Sequence, residues 1–240
     1  MLVLIALIAL ISLLYAMAGQ AGGTAFVAVM AFAGFPASEM RPTALHLNIV
    51  AASYATWRLH QDGLIDWKLF VRLIVASLPA AFLGGLVVLG GRLYFVLTGS
   101  LLILAAVLMV LKRSAVDMED RRPPLWPAAL GGAGVGFLSG VSGIGGGVFL
   151  APLLIVLGWS SPKRAAYLSA PFILLNSVLG FGGVWLAGQG PSPGIVLYAS
   201  GALAGSVIGT AIGLRWMSER MIRYVLAAIL VFAGFRLLVG

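Results

Sequence analysis

The sequence contains no cysteine and very few charged residues for its length. Without cysteine there is no disulfide framework, no thiol nucleophile and no thiolate metal site. Only 9% of the 240 residues are charged and 61% are hydrophobic, whereas a soluble domain is about 25% charged and about 45–50% apolar. So few charges cannot cover a surface that faces water on all sides. The composition therefore indicates an integral membrane protein and excludes soluble enzymes and disordered or disulfide-rich chains.

Residue types that carry chemistry are scarce as well. Two histidines and seven carboxylates are scattered along the chain, so we expect no metal site, no cofactor and no enzymatic activity. The sequence has no GxxxxGK[ST] loop, which argues against ATP hydrolysis. The formal net charge of +8 would suit a nucleic acid. However, the positive residues lie in short loops between apolar segments, which favours membrane topology over a nucleic acid partner.

Ten apolar segments account for most of the chain. A membrane-spanning helix needs about 20 residues. The segments 24–35 and 147–158 are too short to cross alone, since each helix would reach only about 18 Å, and each follows a glycine-rich break. The first segment lacks the basic region of a signal peptide and is expected to be a retained helix. The ten are 1–18, 24–35, 42–57, 68–90, 93–111, 125–141, 147–158, 164–187, 194–214 and 220–239.

The two short segments belong to an internal repeat. The glycine-rich stretch 19–23 (GQAGG) aligns with 143–147 (GIGGG) at an offset of 124 residues. Gly84 aligns with Gly209 at an offset of 125. The sequence is therefore expected to fold as two copies of one structural unit.

The unit is predicted to begin with a re-entrant hairpin. Irregular backbone at membrane depth is tolerated only where protein buries it or where it lines a cavity. We therefore expect 1–35 and 125–158 to form helical hairpins whose turns lie inside the bilayer, each followed by three transmembrane helices. The charged run 112–124 is expected to link a first repeat, 1–111, to a second, 125–240.

The positive residues predict how the repeats are oriented. If each hairpin returns to its starting face and the other six segments cross, twelve of the fifteen Lys and Arg residues lie on one side. That side is expected to be cytoplasmic, and both termini are then outside. Because each repeat contains an odd number of crossings, the two have opposite orientations. Inverted repeats are typical of secondary transporters, whose substrate site lies near the membrane midplane.

The glycine-rich segment from Ser142 to Gly158, SGIGGGVFLAPLLIVLG, resembles a motif of the TauE/SafE sulfite-exporter family of anion transporters. The resemblance covers essentially the whole chain. The first-half counterpart departs from the pattern, because Gln20 and Ala21 interrupt its glycines and Ala28 stands where the second half has Pro152. The resemblance implies export or uptake of a small sulfur-containing or carboxylate anion, such as sulfite or a sulfonate, across a prokaryotic plasma (inner) membrane.

The two glycine-rich turns are the candidate anion site. The first N–H groups of a helix have no intrahelical partner, and the helix dipole adds positive charge there, so a helix N-terminus binds anions without a cationic side chain. Close helix packing is the alternative reason for glycine at these positions. The candidates are Gly19, Gln20, Gly22, Gly23 and Thr24 in the first turn and Ser142, Gly143, Gly145, Gly146 and Gly147 in the second.

Neutral polar side chains are expected to complete the site. Asn48 and Asn176 lie in apolar stretches, where an unpaired amide is costly, although bonding between helices would also account for them. Further candidates are Ser53, Ser139 and Ser169. For His46 two interpretations remain: a group that senses or carries a proton, and a neutral, hydrogen-bonded histidine near the interface.

Cations near the ends of two helices are predicted to draw anions toward each mouth. Arg41 precedes the third segment, whereas Lys163 and Arg164 precede the eighth and also fit the positive-inside pattern. The sequence does not decide whether a proton or a sodium ion is coupled to transport.

Other classes of membrane protein remain open at this stage. A five-plus-five-helix metabolite exporter would need ten full-length helices. A pore would show flux without saturation. A membrane enzyme would need a nucleophile with a base, or a metal cluster. In a non-catalytic structural subunit, substitution of the turn glycines would leave transport unchanged.

Overall fold

The computed structural model describes residues 2–88, 123–216 and 218, together with isolated residues within 92–107 and 221–238. In this part of the chain the regular elements are all α-helices, which confirms the predicted all-α class. The predicted linker and most of the fifth and tenth apolar segments lie outside the described residues. The helices are α1 Leu2–Met17, α2 Gly23–Phe32, α3 Ala37–Gln61, α4 Trp67–Leu86, α5 Leu125–Ser142, α6 Gly147–Leu157, α7 Pro162–Leu186 and α8 Ile195–Trp216.

Four of the described helices, α4, α5, α7 and α8, are long and apolar enough to cross a membrane. By contrast, α2 has 10 residues and α6 has 11. At about 1.5 Å per residue they reach about half of the hydrocarbon core. The 18 residues of α5 are more than the half-crossing that the hairpin prediction requires. By length alone, α5 is therefore able to cross the membrane by itself.

The break between α5 and α6 depends on glycine. Helix α5 ends at Ser142 because Gly143 takes a φ of 74°, and α6 begins after Gly146, whose φ is 78°. Glycine adopts this left-handed conformation without the steric penalty that a Cβ brings. The chain can therefore stop one helix and start the next within four residues.

Glycine also sets how the helices pack. Helix α5 lies along α4, and α8 lies along α1. An added Cβ on Gly132, Gly136 or Gly140 of α5 would collide with carbonyl oxygens of α4. Glycines of α8 approach α1 in the same way, at Gly201, Gly205, Gly209 and Gly213. Such backbone approach maximises van der Waals contact, which drives helix association where lipid removes the hydrophobic effect.

The two long helices α3 and α7 pack against each other between these close pairs. Helix α3 also contacts α8 and α2, and α7 also contacts α4, α5 and α6. This arrangement brings the two glycine-rich turns to the faces of α3 and α7 in the interior.

We expect Gly136→Ala to lower the free energy of unfolding by about 1–3 kcal/mol, because its Cβ would overpack the interface with α4. Gly134→Ala is the matched control on the same helix, since a Cβ there meets nothing within 4 Å. The control should be neutral or slightly stabilising, because alanine favours helix over glycine. Thermal unfolding in detergent measures both, and equal destabilisation would contradict the packing argument.

Candidate functional site

The two glycine-rich turns lie against each other in the interior. Residues 20–24 of the first turn and 142–147 of the second are buried. An added Cβ on Gly23 would collide with the carbonyl oxygen of Ile144. The Gln20 side-chain Nε2 donates a hydrogen bond to the carbonyl oxygen of Gly147, at 3.3 Å. The N-termini of α2 and α6 therefore meet in one buried region.

Four buried polar side chains around these turns have atoms without a hydrogen-bond partner in the described protein. They are the Oε1 atom of Gln20, both amide heteroatoms of Asn48 and the hydroxyls of Ser139 and Ser177. Gln20 is 2% exposed and the other three are 0% exposed. We refer to Gln20, Asn48, Ser139 and Ser177 as the polar cluster. Its members come from four different elements: the first turn, α3, α5 and α7.

The polar cluster surrounds the second turn. A Cβ built on Gly145 would lie 2.8 Å from Asn48 Nδ2 and 2.9 Å from Ser177 Oγ. A Cβ on Gly146 would lie 3.2 Å from Ser139 Oγ, and one on Gly147 would lie 2.7 Å from Gln20 Oε1. Side chains at these three glycines would therefore crowd or collide with the polar atoms of the cluster. Asn48 Nδ2 is also close to the first turn, at 2.6 Å from a Cβ position on Gly23.

This arrangement is suited to an oxyanion. Hydroxyl and amide N–H groups donate to oxygen atoms, and the N-terminus of α6 offers further N–H donors. A buried polar group without a partner costs about 1–3 kcal/mol, so several of them at one place point to a ligand. Within 2–88 and 123–216, no group of three His, Cys, Asp or Glu side chains is placed to share a metal ion.

Several sequence candidates have structural hydrogen bonds instead. The Asn176 amide donates to Phe172 O at 2.9 Å and accepts from Ser77 Oγ at 2.6 Å, which joins α7 to α4. Ser169 Oγ donates to Ala165 O of its own helix. Ser142 Oγ accepts from the Ile144 N–H within the turn, and Thr24 Oγ1 bonds the Tyr15 hydroxyl at 2.7 Å. Ser53 is exposed and bonds its own helix.

The structure does not bring His46 to the turns. Two residues along a helix correspond to a rotation of about 200°, so His46 and Asn48 lie on different faces of α3. The half-buried His46 ring packs edge-on against Phe181, with 5.7 Å between ring centroids.

Ser177 was not a sequence candidate. It follows Asn176 directly, and at the offset of 124 that aligns the two turns its counterpart is Ser53, a polar match that could have pointed to it.

Arg41 lies in the interior and not at an open mouth. Its side chain is buried, and its guanidinium donates to Val87 O at 2.9 Å and Gly85 O at 3.1 Å, at the end of α4. It also donates to Gly140 O of α5 at 2.8 Å. The physical reason is that the last carbonyls of a helix lack intrahelical partners, which a buried guanidinium can satisfy. Arg41 thereby ties α3 to both α4 and α5.

Lys163 and Arg164, the other two predicted entrance residues, each line a cavity. Lys163 lines a cavity of about 540 Å³ together with Arg58, Asp62 and Arg215. Arg164 lines a second cavity of about 440 Å³ together with Asp66. Tyr167 contributes to both cavities.

The chain is similar to a family of sulfite exporters and to proteins named probable membrane transporters. Residues 4–237 match the family model described as sulfite exporter TauE/SafE. A Sinorhizobium fredii protein named a probable membrane transporter is 34% identical over 217 residues, covering 89% of this chain and 88% of that protein. A Methanocaldococcus jannaschii protein, also named a probable membrane transporter, is 27% identical over 204 residues, covering 80% and 76%. No solved structure matches the chain.

The two buried asparagines should respond to leucine with opposite signs. Asn48→Leu replaces an amide that has no protein partner, and we expect it to raise the free energy of unfolding by about 1 kcal/mol. Asn176→Leu leaves the Ser77 hydroxyl without its acceptor, and we expect a loss of about 1–3 kcal/mol. Thermal unfolding of the purified variants measures both changes. Destabilisation by Asn48→Leu as large as that by Asn176→Leu would mean that Asn48 is structural.

Proposed function

The chain belongs to the TauE/SafE sulfite exporter family of membrane transporters, and from this premise we propose that it is a secondary transporter of a small anion. The substrate is sulfite, a sulfonate or a related organic oxyanion, and it moves by alternating access. The observation that carries this proposal is the polar cluster, whose unpartnered groups surround the second glycine-rich turn.

The anion is held by neutral donors. The Asn48 amide and the hydroxyls of Ser139 and Ser177 donate to its oxygens, while the N-terminal N–H groups of α6 add the positive end of a helix dipole. The glycines of the turn let the oxygens approach the backbone closely. Such a site can release its ligand easily, because no full positive charge has to be separated from the anion.

The repeat is inverted, with 1–111 and 125–240 as its two halves and 112–124 as a cytoplasmic linker. Corresponding contacts support this proposal. Gly84 approaches the carbonyl oxygen of Phe137, and Gly209 approaches that of Leu13. Gly84 and Gly209 are equivalent at an offset of 125 residues, and Leu13 and Phe137 are equivalent at an offset of 124. Each half therefore supplies the glycine to one contact and the carbonyl to the other. Both turns act as re-entrant breaks, which their burial supports.

Alternating access requires that one side be closed while the other is open. The bonds from Arg41 to α4 and α5 close the extracytoplasmic side in this conformation. The cavities that Lys163 and Arg164 line are the cytoplasmic entrance. Opening the outer side would part Arg41 from Gly140 and expose the second turn from that direction.

In this proposal the protein resides in a prokaryotic plasma membrane with both termini outside. It has no enzymatic activity, and a proton or a sodium ion is the expected coupling ion. The alternatives are a five-plus-five metabolite exporter and a structural subunit. A structural subunit would have no use for the unpartnered polar cluster, which counts against that alternative.

Purified protein in proteoliposomes should take up labelled sulfite saturably, in competition with thiosulfate, sulfoacetate or short carboxylates. Ser177→Ala should lower kcat/KM by about tenfold or more, since a hydrogen bond to a charged ligand contributes about 1.5–3 kcal/mol. Ser206→Ala is the matched control, because its buried hydroxyl already donates to Ala51 O. Equal effects of the two variants would remove the polar cluster from the site. Failure of all these anions to enter would reject the proposed substrate class.

Cysteine labelling tests the inverted orientation, and the natural chain needs no cysteine removed. Ala33 and Leu157 are equivalent at an offset of 124 and both are exposed. An impermeant maleimide should label Ala33→Cys in intact cells and Leu157→Cys only after the membrane is opened. Labelling of both from the same side would contradict the inverted repeat.

A further inference from the structure

The cavity of about 540 Å³ has an unusual charge balance. It lies where α3 and α8 end and α7 begins, and it is lined by Arg58, Lys163 and Arg215. Asp62 is the carboxylate among its described lining residues, and it pairs with Arg58 at 3.0 Å. Three positive charges and one negative charge leave a balance of +2 on the lining.

We propose that this cavity is a second anion-binding site, distinct from the polar cluster, that takes a doubly charged oxyanion. Lys163 and Arg215 converge on the cavity from two helices, and Arg58 adds a third cation that Asp62 only partly offsets. Clefts lined by one sign of charge concentrate the opposite ion. The ligand is either a free divalent oxyanion or the two-phosphate headgroup of an anionic lipid, which carry the same chemistry.

The position of Lys163 supports this assignment. It lies in the first turn of α7, where the positive end of the helix dipole disfavours a cation. Arg58 and Arg215, by contrast, lie in the last turns of their helices, where cations are favoured. A bound anion would interact favourably with both Lys163 and the N-terminus of α7.

The neighbouring cavity of about 440 Å³ is less suited to a divalent anion. Its described lining contains Arg164 and the carboxylate of Asp66, so its charges balance. Asp66 Oδ1 accepts hydrogen bonds from the N–H groups of Lys68 and Leu69, both at 3.1 Å, which fixes the carboxylate at the start of α4.

The proposed site lies in a cavity that the transport proposal treats as a cytoplasmic entrance, but anion binding in this cavity does not require transport. Its lining shares no residue with the polar cluster or the two turns. It would hold an anion even if the chain transported none, so the two proposals can fail separately.

Binding of radiolabelled sulfate to the full chain in neutral detergent tests the site. We expect saturable binding whose affinity falls about fivefold in Lys163→Gln and in Arg215→Gln, the scale of one partly exposed ion pair. Lys68→Gln is the matched control, because Lys68 is exposed, carries the same charge and lies outside the cavity. Asn48→Leu should leave the affinity for sulfate unchanged, although it should abolish sulfite uptake.

Competition by an anionic lipid distinguishes the two sources of the ligand, a free divalent oxyanion and a lipid headgroup. Added cardiolipin that displaces sulfate from the natural chain would identify a headgroup site, and sulfate binding that persists would identify a free-anion site. Either result supports the anion-binding cavity. Two results would overturn the proposed cavity site. One is an equal sulfate affinity in Lys163→Gln, Arg215→Gln and Lys68→Gln. The other is sulfate binding that is lost only in Asn48→Leu. Sulfate binding without any anion uptake would reject the transport proposal and leave the cavity site standing.

Discussion

The two buried, glycine-rich helix breaks constrain the rest of this structure, because lipid offers no hydrogen bonds to exposed backbone groups. The breaks at 19–22 and 143–146 must therefore be enclosed by other helices, and both are buried against α3 and α7. Enclosure requires close packing, which the glycine contacts between α4 and α5 and between α1 and α8 provide. The same burial that protects the turns also creates a dry, polar region around Asn48, where a ligand's charge interacts more strongly than in water.

The polar cluster makes this region costly for stability. An amide and hydroxyls that are buried without partners lower stability, unless a ligand that binds them recovers the cost. The contrast between Asn48 and Asn176 illustrates the difference. Asn176 is bonded at both amide atoms and holds α7 to α4, whereas Asn48 is bonded at neither and faces glycine on two sides. Two asparagines in similar apolar stretches of sequence therefore differ in their hydrogen bonding.

The sequence alone predicted the helical class and the glycine-rich breaks, and it selected Asn48 as a candidate. Those features follow from composition, from glycine spacing and from the cost of an amide in an apolar stretch. It could not separate Asn48 from Asn176, because that depends on the register between α4 and α7, which places Ser77 opposite only one of them. It missed Ser177 and the buried position of Arg41 for the same reason. Both depend on which faces of distant helices meet, and local periodicity carries no such information.

Departures between the two halves explain why the unpartnered hydroxyl of Ser139 lies beside the second turn and has no counterpart at the first. Under the proposed repeat, Tyr15 corresponds to Ser139 and Thr24 to Val148, both at an offset of 124. In the first half, the Tyr15 and Thr24 hydroxyls satisfy each other at 2.7 Å. In the second half, valine has no group that bonds a hydroxyl, so Ser139 remains available beside Gly146. Gln20 breaks the glycine pattern of the first turn and extends its side chain to the second. The Tyr15 and Thr24 hydroxyls at the first turn are thus paired with each other, and the first turn contributes the Gln20 side chain to its counterpart.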